Sequence, residues 1–134
     1  MALDYDRFTD YLETCATRDF RYGVFDCFIF ANEAVKALRG AGFADDMIGR
    51  YANNRGRLYA RTYLNRIGNA DSLAEFIDGR FPRTNISRRG NLVMVNQTSL
   101  GIMFGSGIVT LDNLCGTTLV DESLAVVQWE IDAD

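Results

Sequence analysis

The spacing of apolar residues changes partway along this chain, and that change restricts the fold more than any single motif. In the first half they recur every three or four residues: Phe8, Tyr11, Leu12 and Cys15 form one stripe, and Cys27, Phe30, Ala31, Ala34, Val35 and Leu38 a second. Asp4 or Asp6 is placed to cap a first helix over 5–17, and Asp26 a second that ends at Gly40. A connection over 41–54, rich in Gly, Asp and Asn, reads as long and loosely structured. It leads to a third stripe of Tyr59, Tyr63 and Ile67 within 55–67, and then to a short fourth helix carrying Leu73, Phe76 and Ile77, capped by Asp71 and stopped by Gly79.

From Leu92 onward the pattern is short apolar or β-branched runs separated by turn residues, which predicts strands over 92–95, 100–104, 108–111 and 117–120. Gly105, Ser106 and Gly107 form the hairpin between two of them, because glycine takes the positive φ that such turns need. The run 126–131, with Trp129, reads as the closing strand. N-terminal helices packed on a small C-terminal antiparallel sheet make an α+β fold. A chain of 134 residues with 48% hydrophobic content suits one core, so residues 1–134 read as a single domain.

Charge narrows the partners. A net charge of −4 gives no electrostatic footprint for nucleic acid or an anionic membrane, and neither is expected as a partner. Arginines are dense at Arg50, Arg55, Arg57, Arg61 and Arg66 and again at Arg80, Arg83, Arg88 and Arg89, while acids crowd both ends. A solvated face is the simplest reading; head-to-tail packing between copies, or docking on a partner protein, is the sharper one. No apolar run is long enough to span a bilayer and the first ten residues are acidic, so no signal peptide and no membrane insertion are expected. Cys15, Cys27 and Cys115 are odd in number and widely spaced, and histidine is absent, which predicts neither a disulfide framework nor a metal or cofactor site.

The most informative segment is Phe20-Arg21-Tyr22-Gly23-Val24-Phe25-Asp26-Cys27-Phe28-Ile29-Phe30-Ala31. It places a thiol on the first turn of a helix, where unpaired N–H groups and the helix dipole stabilise a thiolate. By itself this is better explained by a packed cysteine. Downstream come Arg89-Gly90-Asn91-Leu92-Val93-Met94-Val95 and Ser99-Leu100-Gly101-Ile102-Met103-Phe104-Gly105-Ser106-Gly107. Together, over about residues 20–111, these segments resemble the NlpC-type, papain-like cell-wall cysteine peptidases. Those enzymes have an Asp-Cys pair opening a helix, then Gly-Asp and an apolar strand, then His-x-Gly-Ile-Tyr and a glycine hairpin. The Gly-x-x-Asp-Cys opening and the terminal Trp129 are similar to a branch of small tailed-bacteriophage domains.

The resemblance implies a papain-like fold with Cys27 at the nucleophile position and Asp26 before it. Ser99 stands where the family has its histidine base, Leu111 where its orienting polar residue would lie, and Asn91 replaces the aspartate after Gly90. Asp112 is adjacent, but alternation along a strand turns it away unless a bulge intervenes. In the papain-like scheme the base takes the thiol proton, holds the thiolate as imidazolium and later protonates the leaving amine; serine performs none of these steps near neutral pH. The resemblance therefore implies a degenerate peptidase-like domain, made in the host cytoplasm and carried into the virion as a structural or docking part of a phage tail. Its partners would be other tail proteins met through symmetric or hub contacts, with Tyr5, Tyr11, Phe43 and Tyr51 as candidate aromatic anchors. Two alternatives stay open: an active cysteine hydrolase using Cys27 with a non-histidine or partner-supplied base, and a module that binds a peptidoglycan stem peptide without cutting it. The cluster of Cys115, Gly116, Thr117 and Thr118 reads as an ordinary turn, with a reactive thiol at Cys115 as the less favoured alternative.

Overall fold

The computed structural model describes residues 2–21, 24–46, 72–96, 99–112 and 114–132. In it, Asp4 caps helix α1 (Tyr5–Cys15) by accepting from the Arg7 N–H, and Asp26 caps α2 (Cys27–Arg39). Gly40 ends α2 in the left-handed conformation at φ 91°, with Lys36 and Arg39 in the last turn, where cations favour the dipole. A six-residue helix, α3 (Leu73–Asp78), is capped by Ser72. That assigns the cap to the residue after Asp71, because the Ser72 hydroxyl reaches the Glu75 N–H. The first helix stops two residues short of the predicted 17 at a turn closed by Arg18 N–H donating to Cys15 O. The helix expected over 55–67 lies outside the described residues.

Six strands follow: β1 (Arg83–Thr84), β2 (Leu92–Met94), β3 (Leu100–Phe104), β4 (Gly107–Leu111), β5 (Thr117–Asp121) and β6 (Val127–Trp129). They form one antiparallel sheet in the order β1-β6-β2-β3-β4-β5, so the chain is α+β. Phe104 pairs with Gly107, which leaves Gly105 and Ser106 as the turn, Gly105 at φ 65°. Gly107 thus belongs to the strand rather than to the turn, and a Cβ there would lie 2.5 Å from the Val120 carbonyl oxygen. The last strand does not close the sheet at an edge. It inserts between β2 and β1, the latter too short to show an alternating pattern in the sequence.

The helices cover one face of this sheet. Phe8, Phe30, Val35 and Leu38 from α1 and α2 share a core with Leu92, Leu100, Ile102 and Trp129, each large side chain contributing roughly 1.5–3 kcal/mol when fully buried. The opposite face carries a smaller cluster of Val93, Met103 and Ile108, flanked by Val95, Val120 and Ala125. Among the described residues, no helix is long and apolar enough to cross a membrane.

The beginning of the connection after α2 is not loose. Phe43 is 3% exposed and Ala44 fully buried, because the Asn32 amide accepts from the Ala44 N–H at 2.7 Å and donates to Asp45 at 2.9 Å. Phe43 is therefore a core residue and not a surface anchor; Tyr5 and Tyr11 are half-buried against the core, and Tyr51 lies outside the described residues.

Two motif residues have structural explanations. Gly90, at φ 97°, leaves room for the N-terminal segment: a Cβ there would lie 2.6 Å from Leu3 and 2.8 Å from the Tyr5 hydroxyl. Asn91 is buried and its amide donates to both Ile86 O and Gln128 Oε1 at 3.0 Å, a pair of bonds that an ionised aspartate could not make.

Asp78 ties α3 to the sheet. Its carboxylate accepts from Arg83 at 2.7 and 3.0 Å and from the buried Trp129 indole at 2.9 Å. Hydrogen bonding from Arg83 holds this carboxyl below the usual aspartate range. A depressed folded-state pKa contributes stability above the unfolded value and loses it as pH falls through the folded one. Asp78→Ala leaves the indole donor unpaired and is expected to cost about 1–3 kcal/mol at pH 7. Asp78→Asn retains an acceptor and should cost less, and its difference from the parent should shrink as pH drops below about 4. Thermal melts across pH 2–7 check both; a difference that grows on acidification contradicts this role for the ion pair.

Candidate functional site

At the start of α2, Asp26 is 1% exposed and accepts from the Phe28 and Ile29 N–H groups at 3.1 and 3.0 Å. Two donors that a helix N-terminus leaves unpaired are thereby satisfied. Cys27, the first helical residue, is half-buried next to this carboxylate. Its near neighbours along the chain, Phe25, Phe28 and Ile29, are all in the main core.

The segment before Asp26 folds back on itself, with Arg21 and Phe25 exchanging backbone hydrogen bonds at 2.8 and 2.9 Å. The Arg18 guanidinium lies 3.6 Å from the centre of the Phe25 ring and pairs with Glu33 at 3.1 Å. Glu33 also accepts from the Tyr11 hydroxyl at 2.9 Å. Burial, reinforced by the Glu33 charge, pushes the Tyr11 phenol far above its ordinary value, and burial likewise raises the Cys15 thiol. Both groups are neutral near pH 7. This Arg18–Glu33–Tyr11 cluster was not picked out from the sequence. Glu33 is the one acid on α2, but its partners lie on other segments, so the sequence of α2 does not reveal the cluster.

The sheet contributes the other side. Phe20 N–H donates to Leu114 O at 2.9 Å, Gly116 N–H to Arg18 O at 3.1 Å, and Asp19 bridges to Cys115. These bonds hold the loop after β4 against the segment that leads to α2. The start of α2, the start of β3 and the end of β4 therefore gather at one end of the domain. Cys27, Ser99 and Asp112 all belong to that end.

Strand register decides which side chains face the helix. Gly101 opposes Thr110 and Ile102 opposes Val109; the same register carried outward sets Leu100 opposite Leu111 and Ser99 opposite Asp112. The neighbouring ladders agree, since Val95 N–H donates to Ser99 O and Asp112 N–H to Gly116 O, both at 2.9 Å. Opposed residues share a face and successive ones alternate. Leu100 and Leu111 belong to the face that packs on α2, whereas Ser99 and Asp112 fall on the face of Val93, Met103 and Ile108. Asp112 thus shares a face with Ser99, the position that the sequence comparison left to Leu111. Both lie across the sheet from the helix that carries Cys27.

Each polar candidate also has a structural bond. Asp112 Oδ1 accepts from the Leu114 N–H at 2.9 Å, closing the turn, and the Ser99 N–H donates to Asn96 Oδ1 at 2.9 Å. Cys115 is exposed, with its thiol donating to Ala16 O at 3.5 Å. Thr117 and Thr118 are strand residues of β5, not part of that turn. Among the described residues, no group of three or more metal-ligating side chains comes together.

A family model described as "Domain of unknown function (DUF6950)" matches residues 3–131. No curated protein and no solved structure matches the chain.

The cap is the part of this site with the clearest energetic role. Asp26→Ala should lower stability by about 0.5–2 kcal/mol, whereas Asp26→Asn, which keeps an acceptor, should cost much less. Urea melts of the two variants measure this, and an Asp26→Ala protein as stable as the parent contradicts it.

Proposed function

This chain belongs to the DUF6950 family, and we propose that it is a non-catalytic domain on a papain-like framework, used as a structural or docking part of a larger assembly. The observation that carries the reading is the face on which the candidate residues lie. Acyl transfer at Cys27 needs a base within hydrogen-bond reach of the thiol and an acid for the leaving group. The helix-facing positions at this end of β3 and β4 are Leu100 and Leu111, both apolar and buried. Ser99 and Asp112 are on the far face, and Asp26 is engaged as the helix cap. With no histidine in its 134 residues, the chain also cannot obtain an imidazole from a second copy of itself.

The setting of a phage tail comes from the sequence resemblance and is part of the proposal. A papain-like framework stripped of its base still buries α2 against the sheet, so the fold can be retained for its shape. The thiol of Cys27 then acts as a small apolar side chain at the edge of the core.

The test is the rate of Cys27 alkylation against pH, in a Cys115→Ser background that removes the exposed thiol and leaves the buried Cys15 in place. The reading predicts slow reaction with an apparent pKa at or above about 8.5, the value of a free thiol. Fast reaction with an apparent pKa near 7 or below would mean a poised nucleophile and overturn it.

A further inference from the structure

The two edges of the sheet are built differently. The β1 edge is two residues long and follows Pro82, the one proline of the chain. Short length and an adjacent proline are devices that keep a sheet edge from pairing with another chain. The β5 edge has neither. Its five residues, Thr117–Asp121, all pair with β4 in an unbroken register, and they include no proline and no Lys or Arg. Thr118, Leu119 and Asp121 are exposed, and Leu119 is an aliphatic side chain with 56% of its surface in solvent.

The ladder shows which backbone groups this edge presents. Asp112 N–H donates to Gly116 O, so 112 and 116 are a bonded pair, and alternation makes Thr110–Thr118 and Ile108–Val120 bonded pairs as well. Thr118 and Val120 therefore spend their backbone groups on β4. Those of Thr117 and Leu119, with the Asp121 N–H, point out of the sheet, and among the described residues nothing bonds to Thr117 or Leu119 on that side. Leu119 opposes Val109, a member of the main core, so its side chain lies on the helix-side face.

From this self-complementary edge we infer that two copies of the chain pair through β5, antiparallel and about a twofold axis at Leu119, into one continuous sheet. In that register Leu119 N–H donates to Leu119 O of the second copy and the reverse, and each Asp121 N–H donates to Thr117 O of the other. The outward groups are then the ones that meet. The two Leu119 side chains lie side by side on the helix-side face, and Thr118 and Val120 oppose each other on the other face. The one charged residue of the strand, Asp121, stands opposite Thr117 and not opposite its own copy, so no like charges are directly opposed. The contact uses the same patch on both copies, so it closes as a dimer. This inference rests on the reading of the domain as a structural component and names the partner as a second copy.

Sedimentation velocity at protein concentrations up to about 1 mM tests it. The parent is expected to form a dimer and nothing larger, and to keep it at about 0.5 M salt, because backbone bonds and an apolar pair hold the contact rather than charge. Position 119 is exposed, so charges placed there spare the fold. Leu119→Lys alone and Leu119→Glu alone should each dimerise at least about tenfold more weakly, since residue 119 faces its own copy. An equimolar mixture of the two should recover the dimer, as opposite charges then meet at the axis. Leu119→Pro removes an outward N–H that β4 does not use, and should abolish the dimer while circular dichroism shows the sheet retained. A parent that stays monomeric up to the highest concentration, a dimer that Leu119→Lys does not weaken, or a mixture no larger than its separate components overturns the inference. The outcome is independent of how Cys27 titrates: a reactive Cys27 in a chain that still dimerises would defeat the non-catalytic reading and leave this contact standing, and an inert Cys27 in a monomeric chain would do the reverse.

Discussion

The Asp26 cap is the interaction on which the rest of the arrangement depends. It fixes the residue at which α2 begins, and with it the rotation that turns Phe30, Ala34, Val35 and Leu38 toward the sheet. α1 is then laid antiparallel to α2, with its start tied to the end of α2 by Asp4 N–H donating to Leu38 O at 2.8 Å. Its other end is held near β5 through Ala16, Arg18 and the 114–116 loop. One buried carboxylate thereby sets the helix that both α1 and the sheet pack against.

The same residues that suggest chemistry in the sequence are used here for construction. A carboxylate before a helix cysteine is a cap in any fold; in an enzyme it would also shape the site around the thiol. Asp112 closes a turn, Asn91 donates twice to neighbouring backbone and side-chain acceptors, and Gly90 makes room for Leu3 and Tyr5. Each is a local requirement of the fold that persists whether or not a reaction takes place. Their order along the chain therefore requires no reaction to explain it.

Much of the architecture was legible because it follows from period and caps. The two long helices, the left-handed Gly40 and the β3–β4 hairpin all rest on short-range patterns that a sequence displays directly. What was not legible depends on contacts between distant segments. β1 is two residues long and exists because β6 pairs with it, and Phe43 is buried because Asn32, eleven residues earlier, anchors the loop. The face assignment at the candidate site needed the register of β3 against β4. A hairpin turn counted as three residues displaces Asp112 to the wrong face, whereas the observed two-residue turn sets it opposite Ser99. The Arg18–Glu33–Tyr11 cluster joins three segments and has no signature in any one of them.

The central claim is that Ser99 lies across the sheet from Cys27, so that a base placed at position 99 is out of reach of the thiol. Reintroducing the base tests this directly. With Ser99→His in the Cys115→Ser background, the thiolate absorbance of Cys27 is followed as pH is varied, beside the Cys115→Ser parent. The structure predicts the same apparent pKa in both proteins. A fall to about 7 or below on adding the imidazole, the behaviour of a paired thiolate, would show that position 99 faces α2 and contradict the account.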